Sequence, residues 1–232
     1  MRMITVATIL LVVFAVWFMV VRIKGFSKKD VVLKMAAAVS FVTISGTALV
    51  LKPSVMGGYL LAGAVFGALG DLYLGLSHIL KEKKKHMMFA GIFHFGMGHI
   101  CFCQGLLHQY STGDSLKYVL AAFAVGAAFA AVLGFGGRKM GLHFGRYFPV
   151  VLIYGFLLTF SVALALGLNV YHGWENTQLK LFMVGITCFI ISDGILSRMY
   201  FGKLGNAPGA VIWNHVTYYV AQWFIAISIL YI

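Results

Sequence analysis

Eight stretches of about 20 apolar residues divide the chain, and they limit its fold more than any other feature. A membrane-crossing helix needs roughly 20 such residues to span the hydrocarbon layer. The windows lie at about 3–21, 31–51, 57–80, 87–108, 116–134, 147–168, 180–199 and 209–231. The segments between them are short, as in a packed bundle. Of the 232 residues 61% are hydrophobic and 10% charged, against about 25% charged in soluble domains. The expected fold is all-α: one bundle of eight transmembrane helices over residues 1–232, with no room for a second large domain. The N-terminal run resembles a signal peptide, but it reaches Val21 without a small-residue cleavage site and reads as a retained helix.

A net charge of +12 is not a nucleic-acid signature here, because the bases lie in short segments between apolar runs. Fourteen Lys and Arg fall in or beside the first, third, fifth and seventh connections, and four fall on the other side. That bias places the odd connections in the cytosol and both termini outside it. The run Lys81 to Lys85 (KEKKK) serves this orientation and is also a candidate contact for anionic lipid or a substrate phosphate. Short loops without an export signal fit the endoplasmic reticulum membrane of a eukaryote. Cys101, Cys103 and Cys188 all lie in apolar runs and form no disulfide framework.

Two aspartates interrupt the apolar runs. Asp71 is the only formally charged residue between Pro53 and Leu80, and Asp193 the only one between Leu181 and Ser197. A carboxylate at the centre of a membrane helix costs about 2.5–3.5 kcal/mol on insertion scales, so it marks a functional candidate. The third and seventh spans run the same way. Asp71 precedes Lys81 by ten residues and Asp193 precedes Lys203 by ten, which puts both carboxyls roughly 15 Å inside a cytosolic anchor. Each Asp-bearing span is followed by a basic turn and by a span containing Gln104 or Gln222. The match suggests two parallel four-helix repeats.

Other polar residues fall into stripes. Gly63, Gly67, Asp71 and Gly75 step by four along the third span, where small residues admit a neighbouring helix. His99 shares a face with Gly91, Phe95 and Cys103, and His94 lies off it. In the last span Asn214, Tyr218 and Gln222 step by four, with His215 and Tyr219 alongside. Such a stripe faces the bundle interior or a wet cavity, either as interhelical glue or as a substrate-binding surface. His94 and His99 are five apart, a poor spacing for two metal ligands on one helix. No H-E-x-x-H, C-x-x-C, G-x-S-x-G or P-loop motif is present.

The segments GAVFGALGDLYLGL, FAGIFHFGMGHICF, CFIISDGILS and TYYVAQWFIAIS resemble the lysoplasmalogenase (YhhN-like) family of eight-helix membrane proteins. Gly70 and Asp71 match its Gly-Asp; Gly91, Phe95, Gly98 and His99 match its second motif. Ser192 and Asp193 match its Ser-Asp, and Tyr218, Ala221 and Gln222 match its Tyr-x-x-Ala-Gln. Phe102 stands where the family has a Tyr, and His94 and His215 are outside the pattern. The resemblance implies a hydrolase that splits the vinyl ether of a lysophospholipid substrate, a lysoplasmalogen, into a fatty aldehyde and glycerophosphocholine or glycerophosphoethanolamine. That chemistry needs no cofactor, and no metal ligands are assigned. It needs an acid to protonate the outer alkene carbon and a second group to stabilise the oxocarbenium ion and aim water, the problem glycosidases meet with two carboxylates. Asp71 and Asp193 are the expected catalytic pair, with His99 tuning it or relaying its proton. Asn214, Tyr218, Tyr219 and Gln222 are the expected substrate contacts. Asp→Asn at either position is expected to remove activity without loss of thermal stability. A proton-coupled transporter of lipids or small molecules is the main rival, and an intramembrane aspartyl protease the second; Ala68 sits where the protease motif has its first Gly. Nothing in the sequence sets the oligomeric state.

Overall fold

The computed structural model describes all 232 residues and is helical throughout, without strands. The eight helices are α1 (Arg2–Ile23), α2 (Lys28–Leu51), α3 (Val55–Ile79), α4 (Lys84–Tyr110), α5 (Leu116–Gly136), α6 (Phe148–Tyr171), α7 (Thr177–Phe201) and α8 (Pro208–Ser228). Their starts follow local chemistry. Ser27 and Asp30 form a capping box at α2. Ser54 accepts from Gly57 N–H at α3, and Asn176 from Leu179 N–H at α7. These side chains satisfy amide groups that the first helical turn leaves unpaired. Pro149 and Pro208 occupy first-turn positions of α6 and α8, where their missing N–H costs nothing.

Seven helices are long and apolar enough to cross a membrane by length and composition alone. The exception is α8, whose Asn214, His215, Thr217, Tyr218, Tyr219 and Gln222 dilute its apolar surface. It compensates by position, since it packs against α1, α2, α3 and α7 and buries all of these but Thr217. At the other extreme, α5 buries only Ala122 and Gly126 and leans chiefly on α6.

The odd connections gather at one end of the bundle. Arg22, at the end of α1, donates to Asn206 between α7 and α8. His78 meets Tyr200 at 2.9 Å, and His143 N–H donates to the Phe201 carbonyl. The even connections gather at the other end, where Tyr110 donates to Asn176 and Thr112 meets Tyr171. Arg22 and Lys34, two of the fourteen bases on the odd-connection side, are engaged inside the protein. Arg22 is buried, 3.6 Å from Asp30 and stacked on the Phe26 ring.

Helix adjacency repeats along the chain. Pairs α1–α2, α2–α3 and α3–α4 have counterparts in α5–α6, α6–α7 and α7–α8, and α2 meets α8 as α6 meets α4. Within this pattern Asp71 lies sixteen residues into α3 and Asp193 sixteen into α7. Lys34 lies six residues into α2 and Tyr154 six into α6.

Candidate active site

Glycine brings α3 against α4 at the level of the first aspartate. A Cβ at Gly70 would lie 2.6 Å from the Phe95 ring, and one at Gly98 would meet the Gly63 carbonyl at 3.1 Å. The stripe read along α3 serves three neighbours: Gly63 takes Phe102 of α4, Gly67 takes Gln222 of α8, and Gly75 takes Val31 of α2. Close approach on these sides leaves Asp71 sealed, 1% exposed.

Asp71 is ion-paired. Lys34 Nζ lies 2.7 Å from Asp71 Oδ1, and Tyr218 donates its hydroxyl to Oδ2 at 2.8 Å. Gln222 Nε2 donates to the same tyrosine oxygen at 3.2 Å. Lys34 is therefore the counter-ion of Asp71. An unpaired buried charge would cost several kcal/mol, and pairing with added hydrogen bonds is the arrangement that offsets it.

Asp193 sits in a different setting. Its Oδ2 accepts from the Tyr154 hydroxyl of α6, and no Lys, Arg or His nitrogen lies within ion-pair distance. It is also part-exposed. Behind Tyr154 stands His99, fully buried, with Nε2 3.5 Å from the Tyr154 oxygen. His99 Nδ1 lies 3.0 Å from Ser161 Oγ. Ser161 spends its one proton on the Leu158 carbonyl at 2.8 Å, so its oxygen accepts and His99 Nδ1 donates. That fixes the tautomer and leaves His99 Nε2 as an acceptor facing Tyr154.

The two carboxyls are within Coulombic range of one another and of Lys34. Between them lies an aromatic partition in which Phe189 meets His99, Tyr218 and Phe95 edge-on at 4.9, 5.5 and 6.3 Å. Asp71, Asp193, His99, Tyr218 and Gln222 thus fall in one neighbourhood. Asn214 does not join them. Its amide donates to the Ser192 carbonyl and hydroxyl, each at 2.9 Å, and Ser192 donates back to the Asn214 carbonyl. That is a clasp between α7 and α8. Tyr219 lies beside Tyr218 with a buried, unpartnered hydroxyl, and Gln222 Oε1 is likewise unpartnered. His94 and His215 bond back to carbonyls of their own helices.

Sequence reasoning did not find Lys34, Tyr154 or Ser161. Lys34 carried a signal, since it falls one turn inside an apolar run. Tyr154 and Ser161 carried none beyond being polar in a span. No group of three or more His, Cys, Asp or Glu is arranged to hold a metal ion.

The model of the YhhN family matches residues 29–229. The chain belongs to the YhhN family. That family includes lysoplasmalogenases. The match leaves out α1 and begins just before Asp30, so Asp71, Asp193, His99, Tyr218 and Gln222 lie within it together with Lys34, Tyr154 and Ser161. No curated protein and no solved structure matches the chain.

Proposed function

We propose that this YhhN-family protein is a membrane hydrolase that cleaves the vinyl ether of lysoplasmalogens by acid–base catalysis. The observation that carries the reading is the unlike setting of the two carboxyls. Asp71 is sealed and paired with Lys34; Asp193 is part-exposed and meets only neutral groups. Vinyl ether hydrolysis needs such a division, with one group holding a proton and another holding negative charge.

In this mechanism Asp193 is the general acid. Its Oδ2 accepts from the Tyr154 hydroxyl, and the proton it carries passes to the outer alkene carbon and leaves an oxocarbenium ion. The Tyr154 proton meanwhile has a second acceptor in His99 Nε2. Asp71 stays ionised and stabilises the cation at Coulombic range. The Asp193 carboxylate then takes a proton from the attacking water. The resulting hemiacetal collapses to a fatty aldehyde and a glycerophospho-alcohol, so one water is consumed and the acid regenerated. His99, held in one tautomer by Ser161, positions the Tyr154 hydroxyl. Tyr218 and Gln222 hold Asp71 in register.

The direct test incubates the purified protein with a lysoplasmalogen and assays aldehyde. Aldehyde release that disappears in Asp193→Asn supports the reading. Flux of the intact lipid across a proteoliposome membrane, with no aldehyde formed, would replace it with transport.

A further inference from the structure

A cavity of about 510 Å³ opens at the end of the bundle where the odd connections gather. Lys81, Lys84 and Lys85 line it from the α3–α4 turn, and Arg146 lines it from the turn before α6. The only acid in its wall is Glu82. None of the four cations has a carboxylate within ion-pair distance. Orientation in a membrane explains bases on this side of the bundle. It does not explain why two turns some sixty residues apart converge their bases on one hollow. Lys84, Lys85 and Arg146 also crowd the N-terminal ends of α4 and α6, where unpaired amides already present positive potential and further cations are disfavoured. An anion in the cavity relieves both repulsions.

A separate apolar groove of about 250 Å³ lies between α4 and α6, and its lining begins one residue on from that of the cavity along α4. Met88 and Tyr147 line the basic part; their near neighbours Phe89 and Val150 line the groove, and Tyr154 lies along it. The seven residues from Tyr147 to Tyr154 rise about 10 Å. In a single-chain alkenyl phospholipid the phosphorus is seven bonds from the outer vinyl carbon, a reach of at most about 10 Å at bond lengths near 1.5 Å. A phosphate in the basic cavity therefore lets the vinyl ether reach the level of Tyr154, the hydrogen-bond partner of Asp193.

We infer that this cavity and groove bind a single-chain phospholipid, the phosphodiester among Lys84, Lys85 and Arg146 and the chain between α4 and α6. The inference rests on the proposed hydrolysis for its choice of lipid, and its test does not depend on turnover. The probes are a non-cleavable 1-O-alkyl lysophosphatidylcholine and the phosphate-free 1-O-alkylglycerol of the same chain, each titrated against the protein in a neutral maltoside detergent. The phospholipid is expected to bind about tenfold or more tighter, the effect of one good charge-assisted contact, and the preference to shrink as salt is raised. Lys84→Gln/Lys85→Gln/Arg146→Gln should abolish the preference and leave alkylglycerol binding unchanged. Lys24→Gln/Lys28→Gln, on the same side but outside the cavity, should leave the preference intact. Equal binding of the two lipids by the wild type overturns the proposal, and so does equal weakening by the remote control. Displacement by equimolar inorganic phosphate would assign the cavity to the free anion and overturn the lipid assignment. Phosphate-selective binding without aldehyde release would leave this site standing and the hydrolase reading fallen. Aldehyde release without phosphate selectivity would do the reverse.

Discussion

Asp71 and Asp193 occupy the same place in their helices but have different companions, and the difference decides what each substitution does. General acid–base groups contribute about 10²–10⁴-fold in rate, so Asp193→Asn should reduce aldehyde release by at least about that factor and leave the melting temperature near wild type. Asp71→Asn should abolish turnover too, but it strands Lys34, and removing one partner of a buried pair costs about 3–5 kcal/mol. A large fall in its melting temperature is therefore expected, contrary to what sequence alone implied. Lys34→Met/Asp71→Asn should recover much of the stability and none of the activity. Comparing the three variants by differential scanning fluorimetry and aldehyde assay separates charge from architecture; wild-type turnover by a folded Asp193→Asn protein would end the mechanism. Tyr154→Phe removes the hydroxyl between Asp193 and His99. It should lower kcat more than it raises KM and change the pH profile of kcat, a signature that lost packing would not produce.

Among the elements, α3 and α8 carry most of the site, and their sequence patterns had different legibility. The glycine steps on α3 announced close packing but not which helix each glycine receives. The α8 stripe announced an interior face but not its division of labour, since spacing by four is shared by Tyr218, which touches Asp71, Gln222, which supports that tyrosine, and Asn214, which clasps α7. Gln222→Leu should weaken turnover, because Gln222 supports the Tyr218 hydroxyl. Asn214→Leu should instead lower stability, by about 1–2 kcal/mol for an interhelical hydrogen-bonded group in a membrane, with little change in KM. Gly70→Leu drives a side chain into the Phe95 ring and should cost about 1–3 kcal/mol or more, the usual range for overpacking. Thermal melts and Michaelis kinetics on the three variants distinguish a catalytic stripe from a purely structural one: unchanged kcat/KM in Gln222→Leu would make the stripe structural throughout.

At the scale of the whole molecule, eight helices and the family motifs were readable because hydrophobic length and short motifs are local properties. The ion pair was not, because it joins residues 34 and 71 through tertiary packing, and a lysine near a helix end satisfies the orientation rule whether or not it points inward. Sequence likewise could not bring Tyr154 to Asp193. The base asymmetry predicts a cytosolic KEKKK turn and termini on the opposite side. Single cysteines introduced near Lys84 and Ser111 should be labelled from opposite faces by an impermeant maleimide, and labelling of the Lys84 site from the extracytosolic side alone would invert the topology. The Lys34–Asp71 contact also bears on how the chain is made. Asp71 alone would add about 2.5–3.5 kcal/mol to lateral exit of α3 from the translocon into lipid, and an inward-facing Lys34 would add a smaller cost to that of α2. Emerging together, α2 and α3 can neutralise one another before leaving the channel, so the hairpin, and not the single helix, is the unit of biogenesis here. Ribosome-bound chains truncated before Asp71 should keep α2 beside the translocon, and chains extended beyond α3 should release both helices at once.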